Sequence, residues 1–94
     1  MKIKKGDIIL VNLDPVIGSE QRKTRPAVVI QNNIGNEYFP KTIIATITSK
    51  VFEKEFPTNV FISRKESKLG KDSTILLNQI RTIDKLELKR RFLY

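Results

Sequence analysis

TIIATIT, residues 42 to 48, is β-branched at every position but Ala45, and β-branched side chains suit a pleated surface better than a helix. Its alternation predicts a strand with Ile43, Ala45 and Ile47 on one face and Ile44, Thr46 and Thr48 on the other, the first face being the greasier. Outward from it, IILV within residues 7–13 and AVVI at 27–30, directly after Pro26, are predicted strands buried on two faces or at an interface. NVFIS (59–63) and STILLNQIRTI (73–83) bring the number of strands to five or six, and the last is long enough to predict a bend or bulge near Asn78.

Between these strands lie LDPVIGSEQRKTR, NNIGNEYFP, SKVFEKEFPT and SRKESKLGKD, all rich in turn formers. Gly35-Asn36 and Leu69-Gly70 mark turns, and Pro15, Pro26, Pro40 and Pro57 fall at predicted strand boundaries, where a missing N–H does least harm. From Asp84 a short helix is predicted, capped by Asp84, with Lys89, Arg90 and Arg91 near its C-terminal end. Tyr38, Phe39 and Phe52 read as plugs or loop shields rather than as platforms for stacking bases. The order of elements predicts a mainly β fold with short helices, a small twisted barrel with polar loops gathered at one side.

At 94 residues the chain fits a single domain, residues 1–94, that buries about 60 to 65% of its unfolded surface. There are no repeats and no low-complexity linker. Absence of histidine and cysteine excludes the usual imidazole, thiol and zinc chemistries. No carboxylates are spaced like metal ligands, so no metal and no cofactor is called for. No apolar run approaches the roughly 18 residues that cross a bilayer, and the N-terminal lysines precede no apolar segment, so a cytoplasmic protein without a membrane partner is expected. Eighteen Lys and Arg against ten Asp and Glu give a formal charge of +8, which attracts polyanions and makes nucleic acid the leading partner class.

The densest polar cluster is GSEQRKTRP, residues 18–26. Gly18 permits a tight turn, and Pro26 fixes the dihedral at which the AVVI strand starts, so Arg25 sits at a rigid junction. A planar guanidinium held there suits a phosphate gripped through two parallel hydrogen bonds; the bland alternative is an ion pair with Glu20 or Asp14 that pins the loop. Cleavage of RNA needs removal of the 2′-OH proton, stabilisation of a pentacoordinate phosphorane and protonation of the leaving 5′-oxygen. Glu20, Arg25 and Thr48 could divide those tasks. A guanidinium does not readily give up its proton, so electrostatic stabilisation is the safer role for Arg25. Which group is general base and which general acid stays open.

GDIILVNLDP, GSEQRKTRPAVVIQN, IIATITSK and ILLNQIRTIDK, taken in that order, resemble the MazF/PemK-type toxins, sequence-specific endoribonucleases of toxin–antitoxin systems, over residues 5 to about 86. The resemblance implies an SH3-like barrel of the MazF/PemK/CcdB toxin type, a symmetric homodimer, and metal-independent cleavage of single-stranded RNA, with mRNA as the expected class, to a 2′,3′-cyclic phosphate and a 5′-hydroxyl. It implies Arg25 and Thr48 as catalytic, Glu20 in chemistry or substrate positioning, and Ser19, Gln21 and Gln79 as RNA contacts. Lys50, Lys54 and Arg81 are added as RNA contacts from charge and placement. The implied partners are an acidic antitoxin laid across the cationic cleft, and operator DNA bound only by the complex with that antitoxin.

Two departures accompany the resemblance. Asn78 stands where relatives commonly carry an acidic residue, and it can donate as well as accept, so it is expected to read a different base. The chain stops at KRRFLY where relatives continue into further helix, which is expected to weaken the dimer or attenuate the toxin. A non-catalytic relative on the same barrel, poisoning gyrase or only binding RNA, is the alternative. The joint presence of Arg25 and Thr48 speaks against the first, and the paucity of aromatics for stacking against the second.

Overall fold

The computed structural model describes residues 2–12, 24–50, 52, 57–67 and 69–91. Among them six strands form one antiparallel sheet: β1 (Ile8–Asn12), β2 (Thr24–Val29), β3 (Lys41–Thr48), β4 (Asn59–Ile62), β5 (Ser73–Asp84) and β6 (Leu88–Arg91), in the spatial order β4-β5-β3-β2-β1-β6. The mainly β class is the expected one. The barrel is not closed, however, because β4 and β6 form opposite edges and do not pair among the described residues.

Alternation along the strands explains why the central ones read as unbroken apolar runs. Ile9 and Val11, Ala27 and Val29, Ile44 and Ile83 share one face with Ile3 and Leu88, whereas Ile8, Val28, Ala45 and Ile47 pack on the other face with Ile62, Leu69 and Ile75. Both faces of β1 to β3 are therefore core, and each fully buried Ile or Val is worth about 1.5–3 kcal/mol relative to exposure. The face carrying Ile44 is buried as well, packed with Ile3 and Leu88, although Thr42, Thr46 and Thr48 make it the less apolar of the two.

The long β5 is divided by a bulge where it was expected. Ala45 pairs with Ile80 and Thr46 with Leu76, so Leu77, Asn78 and Gln79 intervene without a partner on β3. Residues 74–76 thus lie between β3 and β4, and residues 80–84 continue along β3 alone. The extra residues bend the strand and raise its twist. Leu77 N donates to Thr58 O at 2.7 Å, giving the bulged backbone a partner outside β3.

Two of the predicted loops fold into short helices. NNIGNEYFP forms α1 (Asn33–Tyr38), with Asn32 Oδ1 accepting from Gly35 N as its N-cap, so Gly35-Asn36 lies in a helix rather than marking a turn. SRKESKLGKD contains α2 (Arg64–Ser67), where Ser63 Oγ accepts from Glu66 N while Glu66 Oε1 accepts from Ser63 N at 3.2 Å, a capping box written in the sequence as Ser-Arg-Lys-Glu. Ser63→Ala should cost about 1 kcal/mol and lower Tm by about 4–8 °C, measured by thermal unfolding; an unchanged Tm would mean α2 does not depend on this cap.

The predicted C-terminal helix is replaced by a 3₁₀ turn, Lys85–Glu87, and β6. Asp84 does cap the turn, accepting from Leu86 N at 3.0 Å, but Lys89, Arg90 and Arg91 lie in a strand. The reason is the outer edge of β1: pairing with β6 satisfies its backbone groups, which a helix would leave open. Pro40 and Pro57 precede strands as expected, whereas Pro26 lies inside β2. There β2 pairs with β1 alone, since its register with β3 begins at Ala27, so no donor is missed on that side. Pro15 lies outside the described residues.

Candidate active site

Arg25 and Thr48 reach one place because two antiparallel strands carry them there. Ala27 pairs with Thr46; two residues before the first is Arg25 and two after the second is Thr48, so both occupy the same face at the same end of the sheet. Arg25 precedes a proline, which restricts it to extended backbone, and it pairs with Val11 of β1. Its side chain is exposed while its backbone is held in the sheet.

The Thr48 hydroxyl oxygen accepts from Lys50 N at 3.3 Å, and Thr74 Oγ1 donates to Lys50 O at 2.8 Å, fixing the end of β3 to β5. With a lone pair engaged by Lys50, the Thr48 O–H remains available to donate elsewhere. Arg25 and Thr48 line a cavity of about 330 Å³ together with Ser49, Lys71 and Ser73. Pro26, Ile47 and Leu69 form its apolar lining. Among these lining residues the charged ones are Arg25 and Lys71, both cations, so the cavity has the electrostatics of an anion site and an apolar wall against which a ribose or base can lie. A second cavity, of about 370 Å³ and lined by Lys2, Lys4, Asn36 and Lys85 among others, holds none of the candidate residues.

The other sequence-predicted residues divide into three groups. Gln79, in the bulge, accepts from Thr46 Oγ1 at 3.3 Å and so is tied to the face that carries Thr48; Asn78 beside it is exposed. Lys50 follows Thr48 but lays its Nζ 5.0 Å from the centre of the Phe52 ring, and Arg81 pairs with Ile44, farther up β3. Glu20, Ser19, Gln21 and Lys54 lie outside the described residues.

Tyr38 and Phe39 depart from expectation. They are 72% and 58% exposed at the last residue of α1 and its C-cap and plug nothing, so exposed aromatics on which bases could stack are present after all. Sequence reading missed Ser49, Leu69, Lys71 and Ser73. Leu69 and Lys71 come from a segment without hydrophobic period, where the available signal was Gly70, whose φ of +86° sets the turn that brings Lys71 to the cavity, and Ser73 opens the predicted strand 73–83.

The family model described as the PemK-like, MazF-like toxin of type II toxin–antitoxin system matches residues 4–93. The chain belongs to this family. Solved structures of MazF-type proteins have the same fold. A MazE–MazF structure from Deinococcus radiodurans superposes with a TM-score of 0.74 at 23% identity, covering 96% of this chain and 78% of that one. Mycobacterium tuberculosis toxin MazF-mt6 gives 0.72 at 21% identity, covering 94% and 78%. An endoribonuclease in complex with its cognate antitoxin from a mycobacterial species gives 0.70 at 17% identity, covering 96% and 73%. As a MazF/PemK-type chain it offers, among the described residues, no helix long and apolar enough to cross a membrane.

Proposed function

We propose that this MazF/PemK-type toxin is a sequence-specific endoribonuclease that cleaves single-stranded RNA, with mRNA as its target class. The observation that carries the reading is the cavity shared by Arg25 and Thr48, with cations but no carboxylate among its described lining residues. RNA supplies its own nucleophile. The 2′-oxygen attacks the adjacent phosphorus, the bond to the 5′-oxygen breaks, and the products are a 2′,3′-cyclic phosphate and a 5′-hydroxyl, with no water consumed and no metal required to generate the nucleophile.

In this reaction the two N–H groups of the Arg25 fork face the non-bridging oxygens, where charge builds in the phosphorane. The Thr48 O–H donates to the same developing charge. Glu20 is the carboxylate proposed to exchange protons with the 2′-OH or the leaving oxygen, and Ser19, Gln21, Lys50, Lys54, Asn78, Gln79 and Arg81 are proposed RNA contacts. DNA lacks the attacking hydroxyl and would be bound without being cut.

The same reading extends to partners. The formal charge of +8 favours an acidic antitoxin across the cationic cavity, and two of the similar structures are MazE–MazF or endoribonuclease–antitoxin complexes. A symmetric homodimer, and operator DNA bound by the toxin–antitoxin complex, complete the proposal. The test is incubation of the purified protein with a long, structure-poor RNA in EDTA, followed by mapping of cut sites and end chemistry. Discrete cuts ending in cyclic phosphate are expected. Folded protein that leaves the RNA whole, or cuts that vanish on chelation, would overturn the proposal.

A further inference from the structure

We propose that Lys71 is the second cation of the site, holding the phosphate next to the scissile one and so positioning the RNA for Arg25 and Thr48. The inference rests on the endoribonuclease reading above and adds to it a residue from outside the sequence cluster 18–26. Lys71 and Arg25 are the charged residues lining the cavity among those described, and they stand on opposite sides of β3. Arg25 is on β2 and Lys71 two residues before β5, so about two strand spacings, roughly 10 Å, separate their backbones. At that separation each cation reaches its own phosphate instead of crowding one. The division suits their chemistry: the planar fork belongs at the reacting group, and a compact ammonium on a flexible stem serves as a point charge for a neighbouring one.

The turn that presents Lys71 is fixed on both sides. Gly70 adopts a φ of +86°, Ser73 Oγ donates to Lys71 O at 3.2 Å, and Asp72 Oδ1 accepts from Arg64 N at 2.9 Å, which turns the adjacent carboxylate towards α2. Ser73 is buried and pairs with Ile62 of β4, and its neighbour Thr74 pairs with Thr48 itself. A rigid backbone beneath an exposed lysine at the mouth of a cavity is what preorganised phosphate binding requires. A merely solvating lysine needs none of these restraints.

The test compares wild type, Lys71→Met, Lys71→Arg and Lys41→Met, the last removing a charge from the opposite end of β3. Steady-state cleavage is measured on an RNA oligonucleotide with one mapped site, and binding on the same oligonucleotide carrying a 2′-deoxy group at the cut position. Lys71→Met should raise KM about 3- to 10-fold with kcat within about twofold, and make the dependence of log K on log salt shallower by about 0.7, one single-strand phosphate contact. Lys71→Arg should restore most of both, and Lys41→Met should change neither. Wild-type protein that cuts while Lys71→Met matches its KM and salt slope overturns this inference alone. Wild-type protein that neither cuts nor binds RNA overturns the endoribonuclease reading and this inference with it.

Discussion

Replacing Arg25 by alanine should lower the single-turnover rate of RNA cleavage by about 10²- to 10³-fold, the effect of removing one preorganised donor from a developing oxyanion, while RNA binding persists with a weaker salt dependence. Substrate and enzyme exchange no covalent bond in this reaction, so the barrier falls mainly through charge placed where the phosphorane forms. In the proposed mechanism Arg25 supplies that charge, from an exposed side chain on a backbone held by β1 and by Pro26. Because the side chain is exposed, its removal should leave Tm nearly unchanged, and a lost rate cannot then be ascribed to unfolding. Arg25→Lys keeps the charge but not the planar fork, and should recover binding before rate. A single-turnover rate within threefold of wild type for Arg25→Ala would remove Arg25 from the chemistry and with it the proposed mechanism.

How much of this was legible in the sequence depends on which physical rule governed each segment. β-Branched runs announced β1, β2 and β3, because side-chain packing on a pleated surface is a local property. The bulge at Leu77–Gln79 was legible as excess length, since STILLNQIRTI, residues 73–83, runs well past the usual strand of about 5–6 residues. The capping box before α2 was also written in the sequence, but four residues without apolar period give too little pattern to outweigh their turn-forming composition. β6 was not legible at all. Its residues LKRR carry no strand pattern, and what places them is the vacant edge of β1, a tertiary demand that no local window contains.

The candidate site divides along the same line. Arg25 and Thr48 could be named from their segments, but their convergence follows from the register between β2 and β3. Lys71 had no such segment. A lysine after Gly70 reads as a solvated turn until the pairing of β4, β5 and β3 folds that turn against the end of β3. Charge composition indicated that the protein attracts polyanions, and topology selects which of its 18 cations face the same cavity as Thr48.

The largest loss of stability from a single substitution outside the apolar core is expected at Asn36. It is 4% exposed, and both ends of its amide are engaged: Nδ2 donates to Gln31 O at 2.9 Å, and Oδ1 accepts from Thr42 Oγ1 at 2.7 Å and from Gln31 Nε2 at 3.1 Å. Its carbonyl also accepts from Lys85 Nζ, so this residue joins α1, the start of β3 and the turn after β5. Asn36→Ala removes the side-chain bonds and strands the hydroxyl of Thr42, which is fully buried. An unpaired buried donor costs about 1–3 kcal/mol beyond the lost bonds, so a total near 3 kcal/mol and a fall in Tm of about 12–24 °C are expected. Adding Thr42→Val should lose less than the two single changes summed, because the stranded hydroxyl then disappears. Thr42 and Thr48 lie six residues apart on β3, about 20 Å, so cleavage by folded Asn36→Ala at low temperature should match wild type. A Tm within about 2 °C of wild type would show that α1 is held to the sheet by something other than this amide, and a slowed cleavage step in the folded variant would show that the two ends of β3 are coupled.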